Sequence, residues 1–455
     1  MTTTAQAPTL RRAVVLMTAS SFLVPAGGLL TAPLLARALS TDGRGELAAA
    51  IAPAGLMLAA ATLGLPDALT YFLAKRPGAT RPALAWASLV TVALGLVCLL
   101  ATFLALSFLS AGDPDLGRLI LLATALTVPA LVVNVFRGAA TGRQMWGAIA
   151  VERVIITAIR VLGFGLLFVG GELGVLAGVL VNTVTPIVAG IVYWPLLRRP
   201  QEATEPAEAA GDPADLPDDE NDRGTLATIV AFGSKVWLGS VASMVLARAS
   251  QLLMTPLSSV EDLGLYTVAS TVSDLPLIVA LAIQGALFGV NSKTRDASQL
   301  TGTARLTLLV AFGGCLVLGA SLPFWIGPLF GYEFEAATVP TLMLLVSALI
   351  CIPGLLAGTA LSAWGRPGLR SAGLGVTLAA NVGSFVLLVP HFGVYGAAWT
   401  SIISNVVLAT FMVVAARQVV GVPGRDFFLV RRSDVVRAWT EGQRILARLP
   451  LGGRS

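Results

Sequence analysis

Arg198–Arg223 reads RRPQEATEPAEAAGDPADLPDDENDR, and it decides the fold by being the long stretch that cannot join it. Nine of its residues are acidic and four are proline. A segment of that composition cannot bury enough apolar surface to offset the entropy of ordering it, so it stays solvated and extended. The sequence on either side is apolar. The stretch is therefore a linker between two hydrophobic halves of similar length. It sets boundaries of 1–12 for an N-terminal tail, 13–197 for a first lobe, 198–224 for the linker, 225–416 for a second lobe and 417–455 for a basic tail.

The composition agrees with that division. The 455 residues are 56% hydrophobic and only 12% charged, with a mean hydropathy of +0.83. Soluble domains carry roughly twice that charged fraction. A helix needs about 20 mostly apolar residues to cross a bilayer, and each half supplies several such runs. In the first half they are Ala13–Leu35, Ala48–Ala74, Leu84–Leu109, Leu119–Val135, Ala148–Val169 and Gly174–Leu197. In the second they are Leu226–Leu252, Leu265–Phe288, Leu306–Leu329, Thr338–Leu361, Gly373–Val389 and Val394–Ala416. The expected fold is an all-α polytopic membrane protein of about 12 transmembrane helices in two six-helix lobes. The first run follows Arg11 and Arg12 but is too long for a signal peptide and lacks a small-residue cleavage site, so it reads as a retained span.

The net charge of +5 does not make this a nucleic-acid binder, because the cations fall in loops between spans. With the N-terminus cytoplasmic, 22 of the 30 Lys and Arg residues fall in inner loops and tails, and only Arg37, Arg44 and Arg118 fall outside. That is the positive-inside pattern. It puts both termini and the acidic linker in the cytoplasm. In the tail, Val435, Trp439, Leu446 and Leu449 recur at helical spacing among arginines, which suits either a helix on the anionic inner leaflet or a frayed basic end.

The two halves repeat one plan. Leu39-Ser40 answers to Leu257-Ser258, Gly45 to Gly264, Ala50 to Ala269 and Lys75 to Lys293, at offsets of 218 or 219. Gly142-Arg143 answers to Gly365-Arg366 at 223, and Gly174-Val175 to Gly393-Val394 at 219. With an even number of spans per half, both copies run in the same sense through the membrane and are related by an axis along its normal. Two such lobes enclose a central cleft, and rocking them gives alternating access.

Around these landmarks the sequence resembles the polysaccharide (O-antigen-type) flippase family. LARALSTDGRGELAAA (35–50) and its repeat LSSVEDLGLYTVAS (257–270) are similar to that family's loop after the first span of each half. GRQMWGAIA (142–150) and the segment 365–401, with its LVPHFGVYGAAWTS end, resemble the same family's later motifs. The motifs also mark the wider superfamily of multidrug extruders and lipid II flippases; the two additional spans typical of the latter are not found here. One departure is Ser250, in LARASQLLM, where many relatives carry an aspartate. The resemblance implies movement of a lipid-linked oligosaccharide on a polyprenyl pyrophosphate from inner to outer leaflet. It also implies partners among membrane lipids, a polysaccharide polymerase and glycosyltransferases.

Ionisable groups within spans are costly and therefore functional candidates. Arg160 lies near mid-depth of the fifth span, and Arg153, seven residues earlier, shares its helical face. Together they can present planar guanidinium forks to a diphosphate; the competing reading is snorkelling for Arg153 and an interhelical ion pair for Arg160. Lys235 and Arg248, in the seventh span, are further candidates for a cationic substrate site. Arg137 closes the fourth span and reads as an interfacial anchor. Asp67 and Asp274, beside Pro66 and Pro276, are the candidates for a coupling ion. Asn134, Asn182, Asn381, Asn405 and Gln284 can meet sugar hydroxyls, though hydrogen bonding between helices accounts for them better.

No metal site, cofactor or enzyme is expected. His391 is the only histidine, and the three cysteines form no CxxC pair. No phosphate-binding loop or nucleophile motif occurs. The alternative to a glycolipid flippase is an ion-coupled multidrug antiporter, which calls for an acidic, aromatic cleft. Within the spans or at their ends five cations (Arg137, Arg153, Arg160, Lys235 and Arg248) face three acids, a balance that favours an anionic substrate. A membrane transferase lacks a loop able to hold its active site, and a non-transporting scaffold is the remaining reading.

Overall fold

The computed structural model describes residues 7–75, 77–198, 243–246, 248–294, 297–421 and 423–427. The acidic linker and the tail pattern at 433–449 lie outside them, as does Lys235. Among the described residues regular structure is helical throughout. The order is α1 (Ala7–Ala60), α2 (Leu65–Lys75), α3 (Thr80–Leu104), the short α4 (Leu106–Leu109), α5 (Pro114–Gly142), α6 (Trp146–Val169), α7 (Val175–Ala189) and α8 (Pro195–Arg198). There follow α9 (243–246 and 248–257), α10 (Val260–Thr294), α11 (Ala297–Phe330), α12 (Thr338–Ala363) and α13 (Pro367–Val420).

Seven of the described stretches are long and apolar enough to cross a membrane, two of them 53 residues long. A straight helix of that length would measure about 80 Å, nearly twice a bilayer, so each must break. They break at Ser40 (φ 58°) and at Gly393 (φ 52°, ψ −129°). The Gly393 conformation is one that only glycine enters readily. These breaks separate the first span from the second and the eleventh from the twelfth. The turn after Val169 separates the fifth from the sixth. The 24-residue α6 falls outside the seven, since every 18-residue window of it contains Glu152, Arg153 and Arg160. Helix starts follow local chemistry. At α5 the Asp113 carboxylate accepts from the Asp115 amide at 2.8 Å, and Pro114 takes the first helical position.

One expectation is corrected. The second span was drawn as continuous from Ala48 to Ala74, but its helix stops at Ala60 and restarts at Leu65, with Leu63 (φ 47°) and Gly64 (φ 69°) left-handed. Pro66 is the cause. It lacks an N–H and its ring clashes with the carbonyl four residues back, so a helix cannot run through it undisturbed.

The described chain forms two compact units, 1–264 and 265–455. In the first, α1 packs on α5, α6 and α7, and α2 and α3 pack on α5. In the second, α12 packs on α13 and α11, around a core that includes Ile352, Leu356, Leu361, Met412 and Phe427.

Within the first unit the repeat-related glycines serve the same purpose. A Cβ on Gly45 would collide with the carbonyl oxygen of Val260, and one on Gly264 with that of Thr41. Val260 and Thr41 each lie four residues before the glycine of their own half, so the approach is reciprocal. Gly264→Ala is expected to lower the thermal unfolding midpoint of the detergent-solubilised protein, at a cost of about 1–3 kcal/mol. Gly375→Ala, where the added methyl meets nothing within 4 Å, should leave it unchanged. Equal midpoints for the two would mean the crossing relaxes freely.

Candidate functional site

Helix faces inside the first unit converge on a cavity of about 410 Å³. Each wall is a stripe at helical spacing. Helix α5 contributes Thr127, Ala130, Asn134 and Arg137, and α6 contributes Arg153, Ile156 and Arg160. From α1 come Ile51, Ala54, Gly55 and Leu58, and from α7 Asn182, Thr183 and Pro186. Arg248 of α9 completes the lining. Four arginines thus face one cavity, and among its described lining residues none is acidic or aromatic.

Their partners differ. Arg153 Nη1 donates to Ser20 Oγ at 3.1 Å, and Arg248 Nη1 to Gln251 Oε1 at 2.7 Å. A Cβ on Gly55 would stand 3.3 Å from Arg248 Nε, so the absence of a side chain there makes room for the guanidinium. Arg160 is the least satisfied. Its Nη2 reaches the Asn182 carbonyl at 3.4 Å, and its buried Nε has no hydrogen-bond partner. A guanidinium held out of water with an unfilled donor is matched to an anionic acceptor that arrives from elsewhere.

The fourth arginine corrects the reading of Arg137 as an interfacial anchor. Its Nε and Nη2 fork onto Glu152 at 2.9 and 2.6 Å, while Nη1 donates to Asn134 Oδ1 at 3.0 Å. Glu152 is 0% exposed and also accepts from the buried Tyr193 hydroxyl at 2.6 Å. Three hydrogen bonds from two side chains thus satisfy the carboxylate, and Arg137 keeps 34% of its side chain open. The pairing follows from the α5–α6 hairpin. Arg137 lies five residues before the end of α5, and Glu152 six after the start of α6, so antiparallel helices bring them level. That near-equal distance from a turn was the sequence signal for Glu152; nothing local marked Tyr193 or Ser20.

Three of the four proposed cationic residues, Arg153, Arg160 and Arg248, therefore meet in one cavity, and Lys235 lies outside the described residues. Neither Asp67 nor Asp274 is among its lining residues. Asp67 is exposed in the first turn of α2, and Asp274 is exposed on α10 in the second unit. The asparagines divide. Asn134 and Asn182 line the cavity. Asn381 donates to Ser404 Oγ at 2.9 Å and Asn405 to Ser347 Oγ at 2.8 Å, so these two tie helices together in the second unit. The side chain of Gln284 lies outside the description. Ser250 is buried.

Compared with known proteins, residues 10–295 match the model of a family described as polysaccharide biosynthesis protein. The fold is similar to the lipid II flippase MurJ in an inward closed conformation, with a TM-score of 0.72 at 11% identity over 94% of this chain and 93% of that one. It is also similar to a multidrug resistance MATE family transporter of the MOP superfamily. The inward-facing form gives a TM-score of 0.66 at 16% identity over 86% of this chain and 94% of that one. The outward-facing form gives 0.61 at 14% identity over 90% and 95%. No curated protein sequence matches the chain.

Proposed function

The chain belongs to the polysaccharide biosynthesis protein family, and from that premise we propose that it flips a lipid-linked oligosaccharide across the membrane by alternating access. The substrate is of the polyprenyl-pyrophosphate type, and it moves from the inner to the outer leaflet to supply cell-surface polysaccharide. The observation that carries this reading is the cavity lined by Arg137, Arg153, Arg160 and Arg248. A diphosphate offers several oxygens for bidentate donors, and the planar guanidinium suits them better than a lysine ammonium does. Asn134, Asn182 and Thr127 add neutral donors and acceptors suited to sugar hydroxyls.

In this reading Arg160, Arg153 and Arg248 are the first diphosphate ligands, with Lys235 a further cation and Arg137 held ready by Glu152. Asp67 and Asp274 are the candidates for ion coupling. The charge distribution supports cytoplasmic termini in a bacterial plasma membrane, with the 198–224 linker joining the lobes on that side. A polymerase and glycosyltransferases would take up and supply the substrate. The likeness to MATE transporters fits an organic-cation antiporter equally well at the level of fold. What favours the flippase is the lining, since an organic cation calls for acids and aromatics where this cavity presents arginines.

The test is reconstitution in liposomes that contain undecaprenyl-pyrophosphate-linked sugar, with exposure followed by a membrane-impermeant glycan-modifying enzyme. The wild type should expose the glycan quickly. Arg160→Ala should slow exposure about 10- to 100-fold, the worth of one hydrogen-bonded charge contact. Equal rates would remove Arg160 from the site. No exposure above protein-free liposomes would shift the assignment to the antiporter.

A further inference from the structure

The second unit carries a feature that the arginine cavity does not explain. Along α13 runs an apolar groove of about 560 Å³, lined by Leu369 and Val376 on one arm and by Val406, Thr410, Val414 and Gln418 on the other. Its walls are exposed, Val376 at 47% and Val414 at 51%, which on a chain this apolar is a surface for hydrocarbon. From Val406 to Gln418 the groove follows the helix for about 18 Å. That is close to the depth of one leaflet, half of a hydrocarbon core about 30 Å thick.

Two arginines stand near the end of the groove. Arg366 precedes the first residue of α13, three residues before Leu369, and Arg417 stands three after Val414 on the groove-lining face of its arm. Both are exposed. Neither makes an ion pair with a described residue. The sequence holds no acidic residue from Ala336 to Arg425, and Asp426, the next acid, pairs with neither arginine. Gln418, which lines the same end, adds a neutral donor. An apolar trough one leaflet deep, ending at two unpaired guanidinium groups and an amide, has the chemistry of a phospholipid seat. Arginine forks suit its phosphodiester, and basic residues at this level attract anionic lipid.

We propose that the α13 groove binds an anionic glycerophospholipid, with one acyl chain between the arms and the phosphate on Arg366 and Arg417. An acyl chain ends within its leaflet, as the groove does, whereas a polyprenyl chain is much longer than a leaflet is deep. The site lies in the second unit and is independent of the substrate assigned to the arginine cavity.

The experiment is native mass spectrometry of the full chain, released from nanodiscs of equal phosphatidylglycerol and phosphatidylethanolamine. Wild type should retain phosphatidylglycerol about 25-fold in preference, equivalent to ~1 kcal/mol for each arginine. Arg366→Gln/Arg417→Gln should abolish the preference, and Val414→Trp should abolish retention of both lipids. Circular dichroism and monodisperse elution check that each variant is folded, and the arginine variant alone suffices if Val414→Trp is not. Equal retention of both lipids by wild type would overturn the proposal, as would an unaltered preference in the double variant. Displacement of the bound lipid by equimolar undecaprenyl phosphate would also overturn it, by giving the groove to the polyprenyl carrier.

Discussion

Glu152→Ala is expected to destabilise the protein by about 3 kcal/mol, the lower end of the cost of breaking a buried ion pair. Glu152 is 0% exposed and holds three hydrogen bonds from Arg137 and Tyr193. Truncation leaves Arg137 Nε and Nη2 and the Tyr193 hydroxyl without an acceptor, the guanidinium keeping only its bond to Asn134. The cost stays near the low end because Arg137 keeps 34% of its side chain open and can recover some solvation there. The measurement is the thermal unfolding midpoint in detergent, which should fall by roughly 6–12 °C for a domain of this size. Tyr193→Phe removes one donor and should cost about 1 kcal/mol. The paired change Arg137→Met/Glu152→Leu discriminates further. It removes both charges with little change in volume, so stability should recover while glycolipid exposure stays impaired. A midpoint unmoved by Glu152→Ala would mean that the carboxylate does not hold Arg137, and the wall of the cavity would need another account.

Much of this fold is legible in one dimension because the bilayer imposes one-dimensional rules. Span length, loop charge and an acidic segment that cannot pack are all properties of composition along the chain. The breaks at Ser40 and Gly393 fall where the two halves repeat each other. What was missed required depth or a neighbouring helix. The break before Pro66 was signalled by Leu63-Gly64-Leu65-Pro66, but mean hydropathy across 48–74 stays high through it and hides the turn. Arg137 misled for a related reason. Position near the end of a hydrophobic run suggests the membrane interface, yet the α5–α6 turn sets it level with Glu152, and the carboxylate draws it into the protein.

The site was partly legible for a physical reason as well. Arg153 and Arg160 could be paired from sequence because seven residues nearly complete two helical turns, so their shared direction is fixed before any packing is known. Arg248 stands out in the sequence only as a charge within the seventh span. That it meets the others depends on Gly55, whose missing side chain leaves room for the guanidinium. Asp67 and Asp274 stand out by their prolines, a backbone argument, and neither is among the lining residues of the arginine cavity.

Replacing Arg153, Arg160 and Arg248 together with glutamine is expected to reduce glycolipid exposure by more than about 10³-fold. Each charged hydrogen-bonding contact is worth ~1.5–3 kcal/mol, and the three share one cavity, so their losses will couple and not simply add. Folding should tolerate the change better than it tolerates Glu152→Ala, because the partners Ser20, Gln251 and the Asn182 carbonyl are neutral and no described lining residue is acidic. Lysine at the same positions separates charge from geometry. It keeps the positive potential but loses the planar fork, so exposure should fall to an intermediate level if bidentate contacts to phosphate matter. Lysine variants as fast as wild type would mean that the cavity supplies only potential. A glutamine variant as fast as wild type would mean that the substrate passes elsewhere. Arginine stays protonated throughout the accessible range, so any pH dependence of wild-type exposure should persist in the lysine variants and be lost on neutralising the responsible acid. Asp67→Asn and Asp274→Asn, assayed across pH 5–8 in the same liposomes, locate that acid. A profile unchanged by either would leave Glu152, hydrogen-bonded to the cavity arginine Arg137, as the next to test by Glu152→Gln.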